Sequence, residues 1–404
     1  MTLLDLDAEP DCPPPPAATA RTPILDPTTT PGRLRAERRS IADIPPTTWD
    51  ALAAQNPWAT PFSGWAFQRA WWDAYGTNAH EETLAVVPAT APAGSAPVAI
   101  VPLMHRHEVE ADDEILHTAM RHGRDLGLTA VPPTVTAVFF GASYHADYAT
   151  ILAAPDDLPA VAAAVAEHIA EPGIRRPWDV VDLRRLRCGD PAADALAAAF
   201  AGREAAEGWS VELEREEVCP VIDLPVGSDM DDVLAGLGKK ARHEIRRKIR
   251  RAESVGAIDL VASPDPLADL DTFIEFHQRK WGARGLFPDS PGGDQSRVLF
   301  RGLFELHGPA GPLRLMFLTI GGRRVAAGVH FETPDRILYY NAGVDPDARD
   351  LSPGVLMIRA YVARALAMGI PRLDFLRGDE SYKYEWGARD EPIQRLLVRR
   401  RDQP

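Results

Sequence analysis

Cysteine is scarce in this chain. The three present, Cys12, Cys188 and Cys219, lie far apart and at no metal-ligand spacing, which points away from thiol chemistry. Long apolar runs are missing as well. No uninterrupted stretch approaches the roughly 20 residues of a membrane span, and the N-terminus lacks the basic start and apolar core of a secretory signal. The expected location is therefore cytoplasmic, without a membrane partner. Positive charge is in deficit, with 44 Lys and Arg against 58 Asp and Glu and a net charge of −14. That balance argues against a protein that coats nucleic acid, and no DNA partner is expected. The histidines offer no metal either: His105 and His107, or His243 and His277, lack ligand spacing on a common face.

What is present is ordinary globular material. The 404 residues exceed the size at which one hydrophobic core grows efficiently, which favours about two domains. At 45% hydrophobic and 25% charged, the composition supports sizeable cores. Residues 1–31 hold eight prolines and few large apolar side chains, so they read as a disordered tail. An N-terminal domain is expected over 32–205. It has an aromatic helix containing Trp65, Phe67, Trp71 and Tyr75, best read as core. A hairpin-like pair follows, ending at Val87 and running over 98–105. After a poorly patterned stretch with Gly123, Gly127 and Gly141 come a helix over 158–170, a strand over 178–183 and a helix over 192–207.

A second domain over 206–404 repeats the order. Strands are predicted within 211–224, a long helix over 230–254, and further helices over 266–282 and 295–305. A hairpin is predicted with its turn at Gly321 and Gly322, since paired glycines supply the positive φ of a tight primed turn. The strand 337–344, the loop 345–354, a helix over 355–368 closed by Gly369 and a strand over 372–376 complete the pattern. The fold class is α+β, each domain a mixed, mostly antiparallel sheet flanked by helices.

The stretch from Ile337 to Met368 carries the most chemistry. Ser352 is placed as an N-cap, Pro353 suits the first helical position, and Gly354 lets a ligand approach the backbone. Free amides at such a helix start attract a phosphate, and Arg349 adds a positive side chain. A plain helix cap is the competing reading. Past the next strand, residues 377–386 (RGDESYKYEW) form a loop dense in ionisable groups, the kind of place ligand sites favour.

A basic helix forms a separate signal. Residues 239–251 hold eight Lys and Arg (among them Arg246 and Arg247) against Glu244 alone, a segment of +7 in a chain whose remainder sums to −21 (−14 minus 7). Like charges at i and i+4 repel and weaken a helix, so function competes here with a solvated face resting on the stripe Ala241, Ile245, Ile249 and Ala252.

The segments GKKARHEIRRKIRRAE (238–253), FHQRKWGARGLF (276–287), YYNAGVDPDARDLSPGVLM (339–357) and LDFLRGDESYKYEWGA (373–388) resemble the GNAT superfamily of N-acetyltransferases. Within it they are similar to the cellulose-biosynthesis-associated branch, relatives of the FemAB-like aminoacyltransferases. The resemblance implies two tandem GNAT-like domains, the second with the better-formed acyl-CoA site. By it, Ser352, Pro353, Gly354 and Val355 would line the CoA pyrophosphate with Arg349 beside them. The strand at Tyr340, Asn341 and Ala342 would pair with the pantetheine arm. The loop DARDLSPG is poorer in glycine than the family's phosphate loop.

Acyl transfer to an amine needs a base, a polarised carbonyl and an acid for the departing thiolate. Asp379 is the preferred base over Glu380 and Asp374, the last of which also fits a brace for the sheet. Tyr382 or Tyr384 suits the acid. Lys383 and Arg377 are candidates to hold the oxyanion or an acidic acceptor, with surface ion pairing as the competing reading, and Arg246 and Arg247 are candidates for substrate binding. The expected function is N-acyl transfer, acetyl foremost, from acyl-CoA as co-substrate, with no permanently bound cofactor. The acceptor would be the amine of a small metabolite, sugar or peptide-like molecule. Two rivals stay open: an aminoacyl-tRNA-dependent transferase, with tRNA as partner, and a non-catalytic subunit of a polysaccharide pathway.

Overall fold

The computed structural model of the chain describes residues 33–106, 128–132, 135–171, 178–225 and 227–400. The tail expected over 1–31 and the glycines Gly123 and Gly127 lie outside the described residues.

The first half runs β1 (Leu34–Arg38), α1 (Pro46–Ala53), α2 (Trp65–Tyr75), β2 (His80–Glu81), β3 (Leu84–Pro88), β4 (Ala99–Val101), β5 (Leu103–Arg106), β6 (Ala137–Phe140), α3 (Leu158–Ala170), β7 (Val180–Arg187), α4 (Pro191–Ala201) and α5 (Glu204–Glu207). The second runs β8 (Trp209–Asp223), α6 (Met230–Gly236), α7 (Lys239–Glu253), β9 (Ile258–Ala262), α8 (Pro266–Trp281), α9 (Pro291–His307), β10 (Leu313–Ile320), β11 (Arg323–Glu332) and β12 (Ile337–Val344). It ends with α10 (Pro353–Met368), β13 (Arg372–Asp374), α11 (Ser381–Glu385) and β14 (Arg389–Arg400).

Local chemistry explains several boundaries. The β10–β11 hairpin turns on Gly321 and Gly322, at φ of 57° and 80°, as their pairing predicts. The single helix expected over 230–254 is broken. Leu237 and Gly238 are extended, at ψ of 153° and 143°, so α7 starts afresh after a short α6 nucleated by an Asp229–Asp232 capping box. The break lets α7 lay Ile245, Ile249 and Ala252 on the core while its charges face outward. In α2 the apolar face is core, as expected: Phe67, Ala70, Trp71 and Tyr75 are buried and pack toward α9.

Eleven strands form one sheet in the order β2-β5-β6-β7-β14-β8-β13-β12-β11-β10-β9, with β1-β3-β4 in a small second sheet. Most neighbours are antiparallel, but β6 runs parallel to β7 and β12 parallel to β13, one parallel pair in each half. The strand following each pair crosses over. β8, which follows β7 in sequence, pairs with β13, while β14, which follows β13, pairs with β7. The exchanged strands then pair with each other from Trp209–Arg400 to Val221–Arg389. The two halves are thereby joined by backbone hydrogen bonds across the sheet.

Helices cover both faces. In the second half, α8 and α9 pack on one face with Phe273, Phe300 and Phe331, and α7 and α10 on the other with Ile249, Met357 and Tyr361. Gly343 allows the closeness of α8 to β12, because a Cβ there would fall 2.5 Å from the backbone nitrogen of His277.

β14 belongs to the second half by sequence but packs Leu396 and Val398 among the buried side chains of α3, α4 and β7. Leu396→Ala should destabilise the chain by about 2–4 kcal/mol, the range for large-to-small core changes. Hydrogen exchange should rise in β7 as well as β14. Loosening confined to the second half would contradict the crossing of strands between halves.

Candidate active site

Strands β12 and β13 pair only at Ile337–Leu373 and Leu338–Asp374. Past that point they diverge, because the chain leaving β13 turns to β8: Phe375 N–H donates to Pro220 O at 2.9 Å and Gly378 N–H to Val218 O at 3.0 Å. A wedge opens in the middle of the sheet, with alternate backbone groups of 339–344 facing into it. An unpaired edge of this kind is a template for an extended, amide-bearing ligand. Since the pair is parallel, the start of α10 and the loop 376–385 sit at the same, carboxyl end of the wedge, where open α/β sheets place ligands.

The donor-side residues stand as follows. Tyr339 and Tyr340 together oppose His330, because the β11–β12 register slips between Val329–Asn341 and Phe331–Leu338. Alternation along the strand sends the neighbouring rings to opposite faces. Tyr340 stacks on Phe300 at 5.7 Å and its hydroxyl donates to His145 O at 3.2 Å, so only its backbone belongs to the wedge. Tyr339 instead meets Tyr361 at 5.0 Å and Phe375 at 6.2 Å. Asn341 and Ala342 continue the edge opposite Val329 and Gly328.

The expected loop 345–354 contains a 3₁₀ turn, Pro346–Leu351, capped by Asp345. Ser352 occupies the N-cap of α10 in the left-handed region, at φ 56° and ψ 51°, and its hydroxyl makes no capping bond. Its carbonyl accepts from Val355 N–H at 3.0 Å and Leu356 N–H at 3.3 Å. Pro353 is buried and Arg349 is exposed; Gly354 is exposed too, and a Cβ added there would meet no atom within 4 Å. Ser352 therefore shapes the helix start through its backbone, not as the side-chain cap expected of it.

The ionisable loop is organised around Lys383. Its ammonium is buried and donates to the carbonyls of Leu376, Arg377 and Gly378 at 3.3, 2.9 and 2.8 Å, with Glu380 at 2.8 Å. These bonds hold a backbone that passes through positive φ at Leu376 (57°) and Gly378 (110°). Asp374 is fully buried, accepting from Tyr148 Oη at 2.9 Å, Arg336 at 3.0 Å and Leu376 N–H at 2.8 Å. Burial pushes its carboxyl up against the pull of Arg336. Arg377 is buried too, its Nε donating to Asp147 Oδ1 with Glu217 3.8 Å away.

Asp379 and Tyr382 stand outside this buried group. Tyr382 is 40% exposed, and its ring lies 6.2 Å from Phe375 in edge contact. Burial, then the neighbouring Tyr382, raises the Tyr339 phenol well above its usual range, which keeps it protonated. Tyr384 donates to Asp390 at 2.7 Å. The residues brought together are thus Tyr339, Phe375 and Tyr382, with Asp379 in the same loop and the α10 start at the same end of the wedge. Arg246 and Arg247 lie apart on the outer face of α7, facing Asp231 at 3.2 Å and Glu244 at 2.6 Å. At its far end α7 comes to the α10 start, where Arg251 stands 3.9 Å from Asp350.

Sequence reasoning missed the contribution of the first half. The segment 141–152 follows β6 and fills the gap between β6 and β7: Ala149 bridges Leu186 in parallel, its N–H donating to Arg185 O at 3.0 Å, and Leu152 pairs with Ile100. The wedge of the first half is therefore closed by its own chain. The same segment supplies Asp147 to Arg377, Tyr148 to Asp374 and His145 to Tyr340. It lacks the periodicity of a helix or strand, and its only local signal was a cluster of His, Asp and Tyr.

Residues 239–384, from α7 to α11, match the acetyltransferase (GNAT) domain family. Among solved structures the chain is similar to FemX, with a TM-score of 0.53 and 9% identity over 89% of this chain and 96% of that one. It is also similar to a conserved protein of unknown function from Bacteroides thetaiotaomicron VPI-5482, with a TM-score of 0.50 and 12% identity over 90% and 99% of the two chains. A tandem GNAT protein from the clavulanic acid biosynthesis pathway aligns at a TM-score of 0.44 and 11% identity, covering 92% and 99%. No curated protein sequence matches. Fold and site define an α+β transferase built around an open wedge between parallel strands. The matched domain contains that wedge, so residues 239–384 carry the acetyltransferase (GNAT) domain of this chain.

Lys383→Met would leave three carbonyls and Glu380 without their buried ammonium, a loss of about 1–3 kcal/mol. Faster hydrogen exchange in 376–385 than in β10 or β11 is expected. Uniform loosening of the whole sheet would show that Lys383 does not act on this loop.

Proposed function

We propose that the enzyme transfers an acyl group, acetyl foremost, from acyl-CoA to the amine of a small metabolite, sugar or peptide-like acceptor, directly and within one ternary complex. The observation that carries this reading is the open wedge past Leu338 and Asp374, with a helix start and an ionisable loop at its carboxyl end. The pantetheine arm would pair with the β12 edge at Tyr340, Asn341 and Ala342. The pyrophosphate would meet Gly354 and Val355 at the start of α10, with Ser352, Pro353 and Arg349 around it. The acceptor nitrogen attacks the thioester carbonyl carbon and passes a proton to the Asp379 carboxylate. As the carbon–sulfur bond breaks, the departing thiolate takes a proton from Tyr382 Oη. In this reading Asp374, Lys383 and Arg377 hold the loop rather than touch the reacting atoms, because their polar atoms face buried partners.

A second reading, an aminoacyl-tRNA donor, draws on the outward basic face of α7, whose end lies beside the α10 start. Acetyl-CoA and charged tRNA offered in parallel separate the two. Arg246→Glu with Arg247→Glu should weaken the second donor steeply in low salt and the first little. Among the described residues no helix is long and apolar enough to cross a membrane. Either donor would place the reaction in the cytoplasm.

With acetyl-CoA and a panel of amino sugars, diamines and dipeptides, thiol release should identify an acceptor. Asp379→Asn should then lower kcat about 10²–10⁴-fold and Tyr382→Phe about tenfold. Calorimetry should give one acetyl-CoA per chain, since the wedge of the first half is filled. Two equivalent sites, or an acetylated enzyme seen by intact mass during turnover, would overturn the scheme.

A further inference from the structure

We infer that Asp147, in the segment of the first half that plugs its own wedge, is a positioning residue for the loop that carries Asp379 and Tyr382, acting through Arg377. The inference rests on the reading of that loop as the catalytic one. It adds a role for the half of the molecule that has no open wedge.

Four observations support it. First, the segment is rigidly seated: Ala149 is hydrogen-bonded to β7, and Leu152 and Ile100 exchange two bonds of 2.9 Å. Second, it delivers a carboxylate to a buried guanidinium, with Asp147 2% and Arg377 6% exposed. Desolvated charges of opposite sign hold a geometry far more firmly than a surface pair, because loss of one partner leaves a buried charge less well compensated. Third, Arg377 sits between Leu376 and Gly378, the two residues at positive φ, so its side chain anchors the turn at its most strained point. Fourth, the alternative carboxylate, Glu217, stands at 3.8 Å and lies on β8, from the backbone side of the loop. With Asp147 removed, the guanidinium would be drawn toward Glu217 and would turn the loop with it.

The donor contacts proposed above lie on β12 and α10, which Asp147 does not touch. The catalytic step and donor binding should therefore respond differently. Displacing a reacting group by about 1 Å is enough to cost on the order of 10²-fold in rate.

The test compares Asp147→Asn, which keeps shape and removes charge, with Asp147→Glu, which keeps charge and adds a methylene. Hydrogen exchange in 376–385, acetyl-CoA affinity by calorimetry, and kcat with the best amine of the panel are read for each. For the Asn variant we expect at least tenfold faster exchange confined to that loop, a ten- to hundredfold lower kcat, and acetyl-CoA affinity within twofold. The Glu variant should recover part of the rate, and Asp147→Asn added to Arg377→Gln should lower kcat no further than Arg377→Gln alone. Unchanged loop exchange, or a loss of kcat matched by an equal loss of donor affinity, would overturn the inference. If the Asn variant does not fold, the Glu variant decides by the same two readings. Failure of the catalytic reading looks different: Asp379→Asn would keep full activity while loop exchange still responded to Asp147.

Discussion

The pairing of β8 with β14 is the constraint on which the molecule depends. Each strand leaves its own half, joins the parallel pair of the other, and meets its counterpart in a long antiparallel ladder. Cutting the chain between halves would strip each of a strand that buries its sheet edge, so neither half has a complete core of its own. The ladder also sets the geometry of the site. Because β8 captures the chain leaving β13 at Phe375 and Gly378, that chain is drawn away from β12, and the wedge exists.

The two halves use the same parallel pair in opposite ways. In the first, segment 141–152 closes the gap with a backbone bridge. In the second, the gap stays open and the plug of the first half becomes one of its walls. Burying Asp147, Tyr148, Asp374, Arg336 and Arg377 together is costly unless every charge is matched; here Asp147 meets Arg377 and the Tyr148 hydroxyl donates to Asp374 across the boundary, while Arg336 pairs with Asp374 within the second half. That matching fixes the halves in one register, which a purely apolar contact would specify less sharply.

Much of the architecture was legible beforehand, for local reasons. The glycine pair of the β10–β11 turn, Gly369 closing α10 and the apolar stripe of α7 all depend on interactions within a few residues. The strands β9 and β14 were missed. The first is partly exposed and short; the second mixes Arg and apolar residues with no clean alternation, because it is buried between two strands and carries Arg395 into an ion pair with Asp182. The break at Leu237 was missed although Gly236 and Gly238 flank it, because the apolar spacing runs on through both. At the site, Ser352 stands where expected but acts through its backbone, and alternation along β12 puts the ring of Tyr339, rather than that of Tyr340, against Phe375 beside the ionisable loop.

By itself, the sequence determined the segments that form the candidate site, since a helix start, a paired-glycine turn and a polar loop after a strand are written in adjacent residues. It also determined the concentration of positive charge on one helix. Only the tertiary structure decided which parallel pair opens, that Asp374, Lys383 and Arg377 are buried while Tyr382 is exposed, and that Asp147, about 230 residues away, meets the loop. Those outcomes depend on which strands pair across the sheet. Pairing between strands distant in sequence is set by the sum of many long-range contacts, none of which leaves a local mark.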